Sequence, residues 1–428
     1  MPPVEGEFGA ECPSTAAHLI AAALEDTLRS LPRYKYVSPP PGFPSMKRFG
    51  LWAAAFLVAC GPGAPDDARM VVSSDRQLQT LAAELLPGLS ERSGLELRRP
   101  VRLERRTRAE LERYLVAKLD DEFPPDRSAR VATSYHLLGL APADLDLRGL
   151  LLAVYREQVA GFYDPDSTAL FVLADQERDA LRPLLLHELV HAVQDQTVDL
   201  DALTAPELGN DRRMAAQAAI EGHATLVMME QVFGEMQGDD IDMSVIPDMG
   251  AELRSALASA ETQFPALAAA PAVLREGLLF PYLEGAGYVL EVWRDGAARG
   301  SSITERLPVS TEQVLHPDRA WGEAADLPTA LEVTVEGAHV VHGDGLGQAE
   351  TRVLLRELSG DPTLEAEGWD GDRYVLIEVP AVAGAGDEES AGAAGLVWAT
   401  VWDDVAARDA FVTRLDALTG GFPRTATV

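Results

Sequence analysis

The stretch RPLLLHELVHAVQDQ, residues 182–196, sets the hardest condition on any fold this chain adopts. His187 and His191 stand four apart, Glu188 follows the first, and Leu184, Leu185, Leu186, Leu189 and Val190 surround them. Apolar residues flank the polar ones on every side, so a helix here buries all three. Two imidazoles and a carboxylate within one turn must then be paired or pass through a costly desolvation.

Residues four apart lie on one helical face, one turn apart. His187 and His191 can therefore offer ring nitrogens to a single ion. Glu188 projects beside that ion, where it can take a proton from a water the ion holds. Zinc lowers the pKa of such a water toward ~7. The spacing H-E-x-x-H is what metal-assisted hydrolysis needs. The plain alternative is a buried helix with two satisfied histidines, and it leaves the desolvation without an answer.

A catalytic Zn2+ takes three protein ligands and keeps one position open. The segment AAIEGHAT, residues 218–225, offers Glu221 and His223. Two apart on a helix, they point to nearly opposite sides, so one ion takes only one of them. Residues 192–220 leave room for a loop and a returning helix. Glu221 is the favoured ligand and His223 the alternative.

Composition narrows the partners. The net charge of -32 argues against a nucleic-acid partner, because phosphate contacts need clustered Lys and Arg. The two cysteines, Cys12 and Cys60, can build neither a disulfide framework nor a cysteine-based metal site. Cys60 has a different use. Residues 46–60, MKRFGLWAAAFLVAC, place a basic pair before a short apolar run and end on a cysteine in a lipobox-like LVAC. The reading is a lipoprotein signal at 46–60, with residues 1–45 an upstream annotation extension and 61–74 a flexible tether. A lipid on Cys60 then holds the exported body at a bacterial envelope membrane. The alternative is that Leu51 to Ala59 belong to a core element.

The body reads as α+β. Helical spacing covers 75–94, RPVRLERR at 99–106 reads as a strand, and Thr107 with Glu110 forms a capping-box pattern. Helices are expected near 127–139 and 145–160, and a hairpin at 161–175. The His187 helix follows with Pro183 near its first turn, then a helix over 206–235 and an apolar helix over 274–296 kinked or broken at Pro281. A mainly helical domain with a small edge-strand sheet is thus expected over 75–328. A smaller α/β region follows over 329–428, with strands ALEVTVEG, RYVLIEVP and GLVWATVW, a loop at 381–395 and a closing helix.

On His187, Glu188, His191 and Glu221 the chain resembles the zincin metallopeptidases, in their gluzincin branch. With QVAGFYDP, HELVHAVQDQ, EGHAT, PYLEGAGYV, STEQVLHP and GWDGDRY in this order, it looks like a set of predicted bacterial lipoprotein metallopeptidases. The likeness spans roughly residues 75–412. It implies a zincin-like fold and peptide hydrolysis by a metal-activated water, with Glu188 as general base. It also implies an edge strand that binds the peptide backbone, for which ALFVLA at 169–174 is in place. One departure stands out: many gluzincins have an Asp four residues after the glutamate ligand, where this chain has Thr225. The task of orienting a ligating histidine is then expected of Asp195, one turn beyond His191.

Peptide hydrolysis also needs an oxyanion donor. Tyr282 and His316 are the candidates, ahead of Tyr163. Their bland readings are a core tyrosine and a turn histidine before Pro317. His339 and His342 are expected at the surface. The expected function is a zinc-dependent metallopeptidase acting on peptide or protein substrates. The alternative is a catalytically silent zincin-fold binding or scaffold lipoprotein.

Overall fold

The computed structural model describes residues 70–176, 178–237, 243, 253–254, 264–379 and 393–419. The signal segment, Cys60 and most of the 381–395 loop lie outside the described residues. Among them, no helix is long and apolar enough to cross a membrane.

Strand β1 (Val71–Ser73) leads into helix α1 (Arg76–Leu85), whose first amides bond to the Asp75 carboxylate, the Gln77 N–H at 2.8 Å and the Leu78 N–H at 3.1 Å. The expected helix over 75–94 is two helices. Pro87 and Gly88 break it, Gly88 turning at φ +84°, and α2 (Leu89–Ser93) follows. Next come β2 (Val101–Arg106) and α3 (Arg108–Glu122), which opens on the expected Thr107–Glu110 capping box. Helices α4 (Pro125–Leu137) and α5 (Leu147–Gln158) and the hairpin of β3 (Gly161–Asp164) and β4 (Ala169–Leu173) also fall where the sequence suggests.

The first sheet has the order β1-β2-β4-β3, with β1, β2 and β4 parallel and β3 antiparallel to β4. This corrects the expectation for ALFVLA. Its strand is interior, paired on both sides, and the edge belongs to β3. The reason is legible in the run itself: Ala169 to Leu173 are all apolar, the pattern of a strand covered on both faces rather than of an alternating edge.

Helix α6 (Arg178–Asp195) carries the opening motif, with Leu184, Leu185, Leu186, Leu189 and Val190 each at most 2% exposed. It starts earlier than expected, so Pro183 lies inside it, past the first turn. Helix α7 (Asn210–Gln237) returns against it. Helix α8 (Ala272–Arg294) runs through Pro281 without a break. A proline inside a helix costs about 3 kcal/mol, and the burial of Phe280, Tyr282, Leu283 and Val289 around it outweighs that loss. Helices α7 and α8 touch backbone to backbone. A Cβ on Gly285 would overlap the Ala218 carbonyl oxygen, and one on Gly222 would overlap the Gly285 carbonyl.

The rest of the chain forms α9 (Thr311–Leu315), β5 (His339–Asp344), α10 (Gly347–Ser359), β6 (Trp369–Val379), β7 (Ala393–Trp402) and α11 (Val405–Thr419). Its sheet is antiparallel in the order β5-β6-β7. ALEVTVEG forms no strand. Its residues are half-buried or exposed throughout, so the alternation has no buried face to serve. The strand begins after the turn at Gly337. His339 is exposed as expected, whereas His342 is half-buried, its ring 5.9 Å from that of Tyr374.

This region is not set apart from the helices. Val353 and Leu354 of α10 share a core with Tyr135, Leu138 and Val273. Half-buried carboxylates join the two: Asp344 accepts from the Asn210 N–H that opens α7 (2.8 Å) and Asp211 from the Thr311 N–H that opens α9 (2.9 Å). Within the region, Asp372 accepts from the Leu346 and Gly347 N–H groups that open α10 (both 2.9 Å).

Glu350 lies in the same layer, 4% exposed, and accepts from the Tyr135 hydroxyl at 2.9 Å. Burial pushes its carboxyl up to about 8 from the usual 4.5. The folded chain thus keeps a proton that the unfolded chain releases. The contribution to stability is complete below about 4.5 and is lost as pH rises through about 8. Glu350→Gln is therefore expected to gain on the wild type by on the order of 3 kcal/mol between pH 5 and pH 8. Urea unfolding at those two pH values measures it, and a pH-independent difference would contradict the assignment.

Candidate metal centre

Helices α6 and α7 bring His187, His191 and Glu221 to one point. The His187 and His191 Nε2 atoms are 3.0 Å apart, and the Glu221 Oε2 lies 3.1 Å from the first and 3.4 Å from the second. Ligands placed tetrahedrally at 2.0–2.1 Å from one ion stand about 3.3 Å from each other. The triangle has that size. His187 is 0% exposed and, among the described residues, its Nδ1 has no hydrogen-bond partner. Three electron-rich atoms facing each other in a buried space suit a cation. Burial alone would raise the Glu221 carboxyl. The field of His191 and the hydrogen bonds with both imidazoles outweigh it and hold the carboxyl down at about 2.

Glu188 is 0% exposed. Its Oε2 accepts from the Tyr163 backbone N–H at 2.9 Å, so edge strand β3 is tied to α6 at the middle of the motif. All four residues of β3 are buried. The sheet edge at Tyr163 is therefore covered, and neither β4 nor β3 offers there the free edge expected for adding a peptide strand. The Tyr163 hydroxyl donates to Asp195 at 2.9 Å.

Asp195 does not take up the orienting task expected of it. Gln194 does: its Oε1 lies 2.8 Å from His191 Nδ1. Both residues are on the face of His191, but Gln194 is one position nearer and its longer side chain folds back onto the ring. His223 is not brought to the triangle. It faces away, as the two-residue spacing from Glu221 requires, with Nδ1 3.0 Å from Gln194 Nε2 and Nε2 2.9 Å from the Ser93 carbonyl. Burial lowers its pKa to about 4, against the raising effect of the Ser93 bond.

Of the two oxyanion candidates, Tyr282 is at the site. It comes from α8, is 3% exposed, and stacks on His187 with ring centroids 6.5 Å apart. His316 is elsewhere. It ends α9, and its Nε2 lies 3.2 Å from Gln348 Nε2 of α10, so it joins two helices rather than the triangle. The turn before Pro317 commits it to that seam. A second acidic group, Glu312, Asp326 and Asp403, already surrounds a cation: Arg319 lies 3.0, 4.0 and 3.3 Å from them.

Residues 327–426 match the family model of a domain of unknown function, DUF8575. No curated protein and no solved structure matches the chain. The matched segment contains β5 to α11, and every residue of the triangle lies before it.

Proposed function

We propose that the protein is a zincin-like, zinc-dependent metallopeptidase, with His187, His191 and Glu221 as ligands and Glu188 as general base. The observation that carries this reading is the triangle of two Nε2 atoms and one carboxylate oxygen, of the right size for one ion, with a carboxylate one residue from the first histidine. Zinc, when bound, supplies a Lewis acid that makes a water nucleophilic at neutral pH. Glu188 takes the proton from the attacking water and delivers it to the leaving amine. The Tyr163 amide, 2.9 Å from its Oε2, holds the carboxylate in place. Tyr282, its ring stacked on that of His187, is the proposed donor to the developing oxyanion. The proposal extends to location: export through the 46–60 segment and a lipid on Cys60.

One observation favours a second reading. The burial of Glu188 and the covered edge of β3 suit a closed metal site that binds without turnover, as in a scaffold lipoprotein. Both readings need the ion. Purified wild type is expected to hold about one zinc per chain, and His187→Ala to lose it, as measured by metal analysis. A wild type without zinc removes both.

A further inference from the structure

Gln194 and His223 are buried polar side chains with no part in the chemistry just proposed, and both are 0% exposed. Their contacts run in an unbroken line from one backbone carbonyl to another. Gln194 Nε2 lies 2.9 Å from the Ile220 carbonyl and 3.0 Å from His223 Nδ1, and His223 Nε2 lies 2.9 Å from the Ser93 carbonyl.

A carbonyl oxygen has no proton to give, and this decides every proton in the line. The Gln194 atom facing Ile220 must be the amide nitrogen. Its oxygen then faces His191 Nδ1 at 2.8 Å and can only accept, so His191 carries its proton on Nδ1. In its neutral form, the form that takes a metal, His191 then has a bare Nε2 directed at His187 and Glu221; as an imidazolium it would donate from Nε2 to Glu221. The other end agrees independently. His223 must donate to Ser93 from Nε2, so its Nδ1 accepts the second amide N–H of Gln194. Reversing the amide would set its oxygen against both the Ile220 oxygen and the bare Nδ1 of His223.

We infer that Gln194, pinned by Ile220 and His223, is a positioning residue that fixes the Nδ1–H tautomer of His191 and so presents its Nε2 lone pair for a metal. The proton on Nδ1 follows from the contacts alone, and it is the tautomer whenever the ring is neutral. Its use rests on the proposed metal centre, where an outer partner of this kind orients the ring and sharpens its basicity.

The test is long-range 1H–15N correlation on histidine-labelled, metal-stripped full-length protein, paired with zinc affinity by chelator competition. Wild type is expected to show His191 protonated on Nδ1 alone. Gln194→Leu removes the acceptor; the proton moves to Nε2 and zinc affinity falls roughly 10–100-fold. Gln194→Glu keeps an acceptor facing His191 and so the Nδ1–H tautomer, but sets an oxygen against the Ile220 carbonyl and is expected to recover only part of the affinity. A merely structural role would change the unfolding midpoint without moving the tautomer. The inference is overturned by wild-type His191 protonated on Nε2, a result that needs no variant. It is equally overturned by a folded Gln194→Leu with tautomer and affinity unchanged. Wild type that binds no zinc sinks the metal centre, while the tautomer measurement still decides the role of Gln194.

Discussion

Glu188→Gln is expected to slow peptide hydrolysis by roughly 10²–10⁴-fold while zinc content stays at the wild-type level. Glutamine keeps the shape and the oxygen that accepts from the Tyr163 amide, so the link between β3 and α6 survives. What it loses is the capacity to hold a proton. The experiment compares cleavage of a peptide library by wild type and variant beside metal analysis of both. Equal rates would remove Glu188 as the base. Loss of zinc along with activity would mean that Glu188 supports the ligands rather than the proton transfer. A wild type that holds zinc and cleaves nothing would select the closed-site reading.

Gly285→Ala is expected to destabilise the protein by about 3 kcal/mol, the upper range for overpacking, and to weaken zinc binding as well. The added methyl meets the Ala218 backbone, which has no rotamer to yield. Helices α7 and α8 must move apart, and Ala218 lies one turn from Glu221. Gly222, next to that ligand, meets α8 in the same way. Gly287 is the internal control. It lies on the same helix with nothing within 4 Å of its would-be Cβ, so Gly287→Ala should be neutral or gain up to about 1 kcal/mol from helix propensity. Thermal unfolding and zinc titration of the two variants give the comparison. Similar values for both would show that the crossing tolerates separation.

Much of this site was legible because its chemistry is local. His187, Glu188 and His191 share one turn of one helix, and periodicity alone places them. The opposite faces of a helix showed that only one of Glu221 and His223 could join the histidines; the packing of α7 against α6 decided that it is Glu221. Asp195 failed as the orienting group because helical spacing gives direction and not reach; Gln194 satisfies the same spacing with a longer arm. His316 failed for a different reason. Its polar character in a turn is real, but its partner Gln348 comes from a helix whose docking no local pattern announces. The ALFVLA edge failed because position in the chain does not give position in a sheet. The unbroken apolar run of that strand was the better signal. ALEVTVEG erred the other way, with a strand-like alternation that no second layer covers.

The carboxylate of Asp344, which closes the first amide of α7, comes from a strand 134 residues downstream. The helix holding Glu221 is therefore finished by a part of the polypeptide made much later. A nascent chain emerging from its N-terminus has both histidines and Glu221 in hand while the start of α7 still lacks its cap. Such distant pairings also slow folding, because a long loop must close before they stabilise anything. If the proposed centre holds zinc, its maturation follows the order of synthesis. Metal captured before residue 344 has appeared would meet a half-built cradle, and full retention should come only with the completed chain.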